Sequence, residues 1–292
     1  MKKLKFIILF CLFSSMLFAA QKTSKTVKNE YDLKFNLDKY VSKEIEINGQ
    51  KIKYRAYENI VYVKNPIDKD YQNMNIYIPE EYFNNSSIGS YNSSNAPIFF
   101  PNTVGGYMPG KADTVGLGRD GKANSLTYAL SKGYVVAAPG ARGRTLTDDE
   151  GNYTGKAPAA IVDLKAAVRY LYLNDEVMPG DANKIISNGT SAGGALSALL
   201  GASGNSQDYL PYLKEIGAAD TRDDIFAVSA YCPITNLENA DSAYEWMYNG
   251  VNSYSRMEFT RNTSAQEYND RSLTHSTVQG NLTNDEINIS NK

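Results

Sequence analysis

The sequence predicts an α/β fold: a mostly parallel sheet with helices between its strands, entered through an antiparallel N-terminal lead-in. Three observations predict it. From Ala96 to Gly250 strand-like and helix-like segments alternate, the rhythm of parallel βαβ units. Before that, from Lys43 to Tyr82, strand-like segments follow one another across polar turns. Between the strand-like "KIISNG" and an Ala/Leu-rich helical stretch, Ser191 sits in a Gly-Thr-Ser-Ala-Gly turn without any linker.

Taken in order, residues 1–20 read as a secretory signal that is removed from the mature protein. Lys2, Lys3 and Lys5 precede an apolar run from Phe6 to Leu12, and Ala19 and Ala20 supply the small residues that cleavage requires. The expected location is therefore outside the cell or in the periplasm. The run is too short for a comfortable membrane span, so no membrane association is expected after cleavage. Residues 21–43 are rich in Lys and Asn and read as a loose N-terminal segment.

The core is assigned to residues 44–250. "EIEING", "QKIKYRAYENIVYV" and "MNIYIP" read as the antiparallel lead-in, followed by the solvated loop "NNSSIGSYNSSN". "APIFFPN" (96–102) and "YVVAAPG" (134–140) are strands on either side of the helical "GKANSLTYALSKG" (121–133). In "AAIVDLKAAVRYLYLN" (159–174), Ile161, Leu164, Ala167, Val168 and Leu171 fall on one helical face. "DDIFAVSAYCPIT" (223–235) is the next strand, with Cys232 read as a core residue. "ADSAYEWMYNG" (240–250) is a helix stopped by Gly250, with Trp246 read as a packed indole. Residues 251–292 contain no run of four apolar residues and read as a polar tail without a sheet strand.

Bulk chemistry excludes several function classes. Removal of the signal leaves 27 Lys and Arg against 32 Asp and Glu, a net charge near −5, which suits neither nucleic acid nor an anionic membrane. Of the two cysteines only Cys232 survives processing, and there is a single histidine, so neither a disulfide nor a cysteine or zinc centre is expected. No cofactor is called for. "GLGRDG" (116–121) matches a dinucleotide-binding pattern, but polar residues precede it where a strand is needed.

The chemistry points to Ser191. A serine hydroxyl is a poor nucleophile until a sharp strand-to-helix turn lifts it clear of the backbone and a base takes its proton. The helix that follows aims free N–H groups and a partial positive charge at the substrate oxygen, which makes the Ala192 N–H one oxyanion donor. A second donor is expected from Gly105 and Gly106, directly after the strand at Ile98–Phe100. Arg142 and Arg144 lie just past a strand end, where they either hold a carboxylate or phenolate or order the loop through salt bridges. Glu245 and Trp246 either line a substrate cleft or are ordinary helix residues.

From Ile98 to Asn249 the wording "PNTVGGYMPG", "GLGRDGKANS", "KGYVVAAPGARGR", "ISNGTSAGGALSALLGASGN" and "YCPITNLENADSAYEWMYNG" resembles bacterial tannases and their feruloyl-esterase relatives, serine esterases of the α/β-hydrolase superfamily. The resemblance implies Ser191 as nucleophile, with Ala192 and the Gly105/Gly106 loop as oxyanion hole. It implies a small aromatic ester, such as a galloyl ester, as substrate. It also implies that a lid is inserted soon after "YEW", so that residues 251–292 open that lid, and that acid and base lie beyond it. The expected architecture is thus an α/β-hydrolase-type sheet that is incomplete, with its last strands absent. In this superfamily the order is Ser, acid, His, the last two on loops after further strands. The lone histidine, His275, is the only candidate base in the chain, on a polar segment with no strand read behind it. Two expectations therefore stand side by side: an aromatic esterase present as its N-terminal portion, or a chain that does not turn over, either a truncated product or a secreted aromatic-ligand-binding protein.

Overall fold

The computed structural model describes residues 30–118, 121–260 and 274–291. The signal read at residues 1–20 lies outside them. Among the described residues no helix is long and apolar enough to cross a membrane.

The lead-in consists of β1 (Val41–Ile47), β2 (Gln50–Val61) and β3 (Asn73–Pro79), each antiparallel to the next. β4 (Pro97–Pro101), α1 (Ser125–Ser131), β5 (Val135–Pro139), α2 (Ala159–Leu173), β6 (Asp181–Thr190), α3 (Ala192–Ala202), the short α4 (Leu210–Glu215) and β7 (Ala227–Tyr231) follow. The seven strands form one sheet in the order β1-β2-β3-β5-β4-β6-β7. β3 meets β5 antiparallel, whereas β5, β4, β6 and β7 run parallel. The chain moves outward from β4 to β5, then returns across β4 to reach β6. That reversal opens a crevice at the carboxyl ends of β4 and β6, the place where open α/β sheets bind ligands.

Alternation along the strands builds two cores. Val135 and Ala137 join Met74, Ile76, Ile98, Phe100 and Ile185 beneath α2 and α3, while Val136 and Ala138 face Leu126 and Leu130 of α1. The apolar face expected for α2 is buried as predicted, but the helix is buried nearly all round, its charged residues included. Asp163 is fully buried and receives Arg142 through Nε at 2.9 Å and Nη2 at 2.8 Å, with Gln72 Nε2 at 2.8 Å. Asp223 is likewise buried between Lys165 Nζ and Arg169 Nε, both at 2.8 Å. These ion pairs cross-link the segment before β7 and the loop after β5 to one helix.

Three readings need correction. Of the segment read as loose (21–43), residues 21–29 lie outside the described residues, and the rest is pinned where Leu33 and Phe35 enter the core and the Asn174 side chain bridges their backbones, accepting from Phe35 N at 2.8 Å and donating to Leu33 O at 3.0 Å. Residues past Gly250, read as having no strand, hold the antiparallel hairpin β8 (Ser253–Thr260) and β9 (Thr274–Asn281), a sheet separate from the main one. The helix α6 (Asn284–Ser290) follows, started by a capping box between Thr283 and Glu286. Cys232 and Trp246 are not core residues: Cys232 is free and exposed just beyond β7, and Trp246, on α5 (Ala240–Tyr248), is 86% exposed.

Candidate active site

Ser191 joins β6 to α3 with φ 58° and ψ −120°. Positive φ with such a ψ is strained for any residue with a Cβ, and persists only where surroundings enforce it. They do so here on three sides. Ser191 N donates to Tyr231 O at 2.9 Å, and its carbonyl accepts from Ala195 N at 3.0 Å and Ile234 N at 3.2 Å. The turn after β7 thereby grips the nucleophile's backbone. The strain has a measurable signature. Glycine at 191 relieves about 1–3 kcal/mol of backbone strain and gives back up to about 1 kcal/mol in chain entropy. Ser191→Gly is therefore expected to unfold at higher denaturant than Ser191→Ala, by ~1 kcal/mol; equal midpoints would argue against a strained elbow.

The glycines around the elbow are required by space. A Cβ on Gly193 would stand 2.7 Å from Asn102 Oδ1 and 2.8 Å from Val104 O, and one on Gly194 would stand 2.6 Å from Tyr231 O. A Cβ on Gly189 would collide with the Gly193 carbonyl. β4, β6 and α3 thus meet through bare backbone, cemented by Asn102. Its Nδ2 lies 3.1 Å from both Asn188 O and Gly193 O and 3.0 Å from Ser197 Oγ. Asn102 begins the loop that carries Gly105 and Gly106, so one buried amide sets the distance between that loop and the elbow.

Within the loop, Met108 N closes a turn on Gly105 O at 3.0 Å. Both central residues have positive φ, 57° at Gly106 and 55° at Tyr107, as a type I′ turn needs. Two side chains hold this shape. Arg144 Nε donates to Gly106 O at 2.9 Å, and the Tyr107 hydroxyl donates to Ile234 O at 2.7 Å. Burial raises the Tyr107 pKa, which keeps the phenol a donor. Among the described residues the N–H groups of Gly105 and Gly106 donate to no protein group, and the Ala192 N–H heads α3, where no intrahelical partner exists.

Of the alternatives read for the two arginines, Arg142 is a loop-ordering ion pair with Asp163, and Arg144 braces the Gly105/Gly106 turn. Glu245 ties α5 to α6, accepting from Ser290 Oγ, and from Asn249 Nδ2 at 3.2 Å. His275 has its backbone in β9, opposite Phe259, on the hairpin sheet and not on the sheet that bears Ser191. Of "GLGRDG" (116–121), the described residues Gly116, Leu117, Gly118 and Gly121 precede α1 outside any helix or strand, and Gly118 N donates to Lys122 O at 2.6 Å. Sequence reasoning missed Asn102, Tyr107 and the grip of Tyr231 and Ile234 on Ser191. Only Asn102, directly after a strand and next to the Gly pair, left any local signal.

A mixed sheet with a parallel centre, a strained serine between strand and helix, and a glycine turn facing it at the switch point define an α/β-hydrolase-type fold. Residues 105–277 match the BD-FAE family model. The chain belongs to that family. The crystal structure of Fusobacterium nucleatum tannase is 95% identical, with a TM-score of 0.85 over 90% of this chain and 55% of that chain. The tannase from Lactobacillus plantarum is 47% identical, with a TM-score of 0.80 over 88% of this chain and 54% of that one. A tannin acyl hydrolase in complex with ethyl gallate is 47% identical, with a TM-score of 0.76 over 88% and 53%. No curated protein matches. The chain thus resembles tannases at high identity while spanning about half their length.

Proposed function

We propose that this chain is the nucleophile-bearing part of a secreted, tannase-like serine carboxylesterase acting on galloyl or related aromatic esters. The observation that carries the reading is Ser191 at φ 58° and ψ −120° on its elbow, in a chain whose solved relatives are tannases, one of them complexed with ethyl gallate.

In this mechanism the Ser191 hydroxyl attacks the ester carbonyl and its proton passes to a base. The carbonyl oxygen becomes an oxyanion and receives the Ala192 N–H and an N–H from the Gly105/Gly106 turn. Preorganised donors of this kind are worth about 10²–10³ in rate each. Collapse expels the alcohol and leaves an aromatic acyl group on Ser191 Oγ, which water then hydrolyses to the free acid. Asn102, Arg144 and Tyr107 touch no reacting atom in this scheme. They hold the two donor groups and the nucleophile at a fixed separation, so that no reorganisation accompanies charge development.

A second reading rests on His275 standing in the separate hairpin sheet: the chain by itself binds an aromatic ester or acid without turning it over. Methyl gallate and p-nitrophenyl acetate hydrolysis by the purified chain, Ser191→Ala and His275→Ala separates the two. Turnover lost in both variants supports an esterase with His275 as its base. Turnover lost only in Ser191→Ala moves the base elsewhere. Gallate binding with no Ser191-dependent turnover favours the second reading.

A further inference from the structure

A pocket of about 370 Å³ lies at the N-terminal end of α2, and neither Ser191 nor the Gly105/Gly106 turn lines it. Its size falls in the range that holds small ligands. Its walls come from the loop before β3, the loop between β5 and α2, the first turn of α2, and α4 with Ile216. All of them precede β7, and β4 and β6 stand between β5 and that edge strand. The pocket has an apolar base, with Val162 and Ile216 each 2% exposed. Two tyrosines complete it nearer the solvent, Tyr153 at 58% and Tyr212 at 45% exposure.

Charge narrows the occupant. Lys156, just before α2, has no carboxylate partner among the described residues; its ammonium rests 3.9 Å from the centre of the Tyr153 ring and keeps N–H donors for an anion. Glu215, the last residue of α4, accepts from no protein group among the described residues. Arg142 also reaches the pocket, but its guanidinium is engaged: Nη2 and Nε by Asp163 at 2.8 and 2.9 Å, and Nη1 by Thr154 O at 3.0 Å. Tyrosine rings favour a flat aromatic guest, an ammonium favours a carboxylate, and a carboxylate accepts from phenolic hydroxyls. A hydroxylated benzoate has all three features. A fatty acid lacks donors for Glu215, and an inorganic anion lacks the ring.

We infer that this pocket is a second, non-catalytic site for a polyhydroxylated benzoate, the class of acid that the proposed hydrolysis releases, with Tyr153 and Tyr212 on its ring, Lys156 on its carboxylate and Glu215 on its phenolic hydroxyls. For the identity of the acid the inference rests on the tannase-like reading above.

The test is isothermal titration of gallate into the full chain and its variants. Saturable binding is expected, weakened about tenfold by Tyr153→Ala combined with Tyr212→Ala and restored when both positions carry Phe, which keeps the rings. Lys156→Gln should weaken gallate about fivefold and leave the binding of pyrogallol, which has the hydroxyls and no carboxylate, unchanged. The substituted side chains are solvent-exposed, so each variant should keep the parent melting temperature. Methyl gallate hydrolysis by the parent, with Ser191→Ala as the blank, judges the esterase reading separately. Gallate binding that responds to these variants, without Ser191-dependent hydrolysis, retains the site and counts against that reading. No gallate binding, or binding that none of the variants weakens, overturns the inference whether or not the ester is hydrolysed.

Discussion

Ser191→Ala is expected to lower ester hydrolysis by this chain, or by any assembly that contains it, by a factor on the order of 10⁶. The substitution removes one oxygen and leaves the elbow in place, because the backbone at 191 is held by Tyr231 O, Ala195 N and Ile234 N and not by the side chain. The Ala192 N–H and the Gly105/Gly106 turn persist in the variant, so polarisation of a bound ester continues. What is lost is the acyl-serine route itself. Residual hydrolysis through water attack at the same oxyanion site is expected at no more than about 10³–10⁴ over the uncatalysed rate. Initial rates with methyl gallate measure the loss, and a decrease under tenfold would remove Ser191 from the mechanism.

The largest expected loss of stability follows Asp223→Ala, at about 3–5 kcal/mol. Asp223 is wholly buried and its two oxygens are fully engaged: Oδ1 by Lys165 Nζ and Asn205 N, Oδ2 by Arg169 Nε, each at 2.8 Å. Alanine leaves one ammonium and one guanidinium in the interior without their counter-charge. The segment before β7 also loses its anchor to α2, so β7 and the turn that grips Ser191 are expected to loosen with it. Urea denaturation of the parent and the variant gives the difference directly; a change below about 1 kcal/mol would mean that solvent reaches the pair.

How much of this was legible in the sequence depends on what signal each feature leaves. The alternation from Ala96 to Gly250 exposed the parallel strands and helices because burial on both faces demands continuous apolar runs, and all of them are present. The elbow was legible because steric crowding at Gly189 and Gly193 forces small residues at fixed spacing. The hairpin at Ser253–Thr260 and Thr274–Asn281 was not, since polar residues predominate in both strands and no apolar run marks either of them. The Thr283–Glu286 capping box was in plain sight and went unread. Buried charges on α2 could not be foreseen from helical periodicity, because Asp163, Lys165 and Arg169 look like a solvated face until Arg142 and Asp223 arrive from distant segments. The same limitation governs Asn102 and Tyr107: their partners, Gly193, Ser197 and Ile234, lie about ninety residues or more away in the chain. Trp246 was misread because a tryptophan in a helix is ordinarily packed, and here its helix faces solvent.

The most direct measurement is the covalent one: treat the protein with a fluorophosphonate that reports activated serines, and locate the adduct by peptide mass spectrometry. A single phosphonyl group on Ser191, absent from Ser191→Ala, is the predicted result. An adduct on another residue, or labelling that persists unchanged in Ser191→Ala, would contradict it.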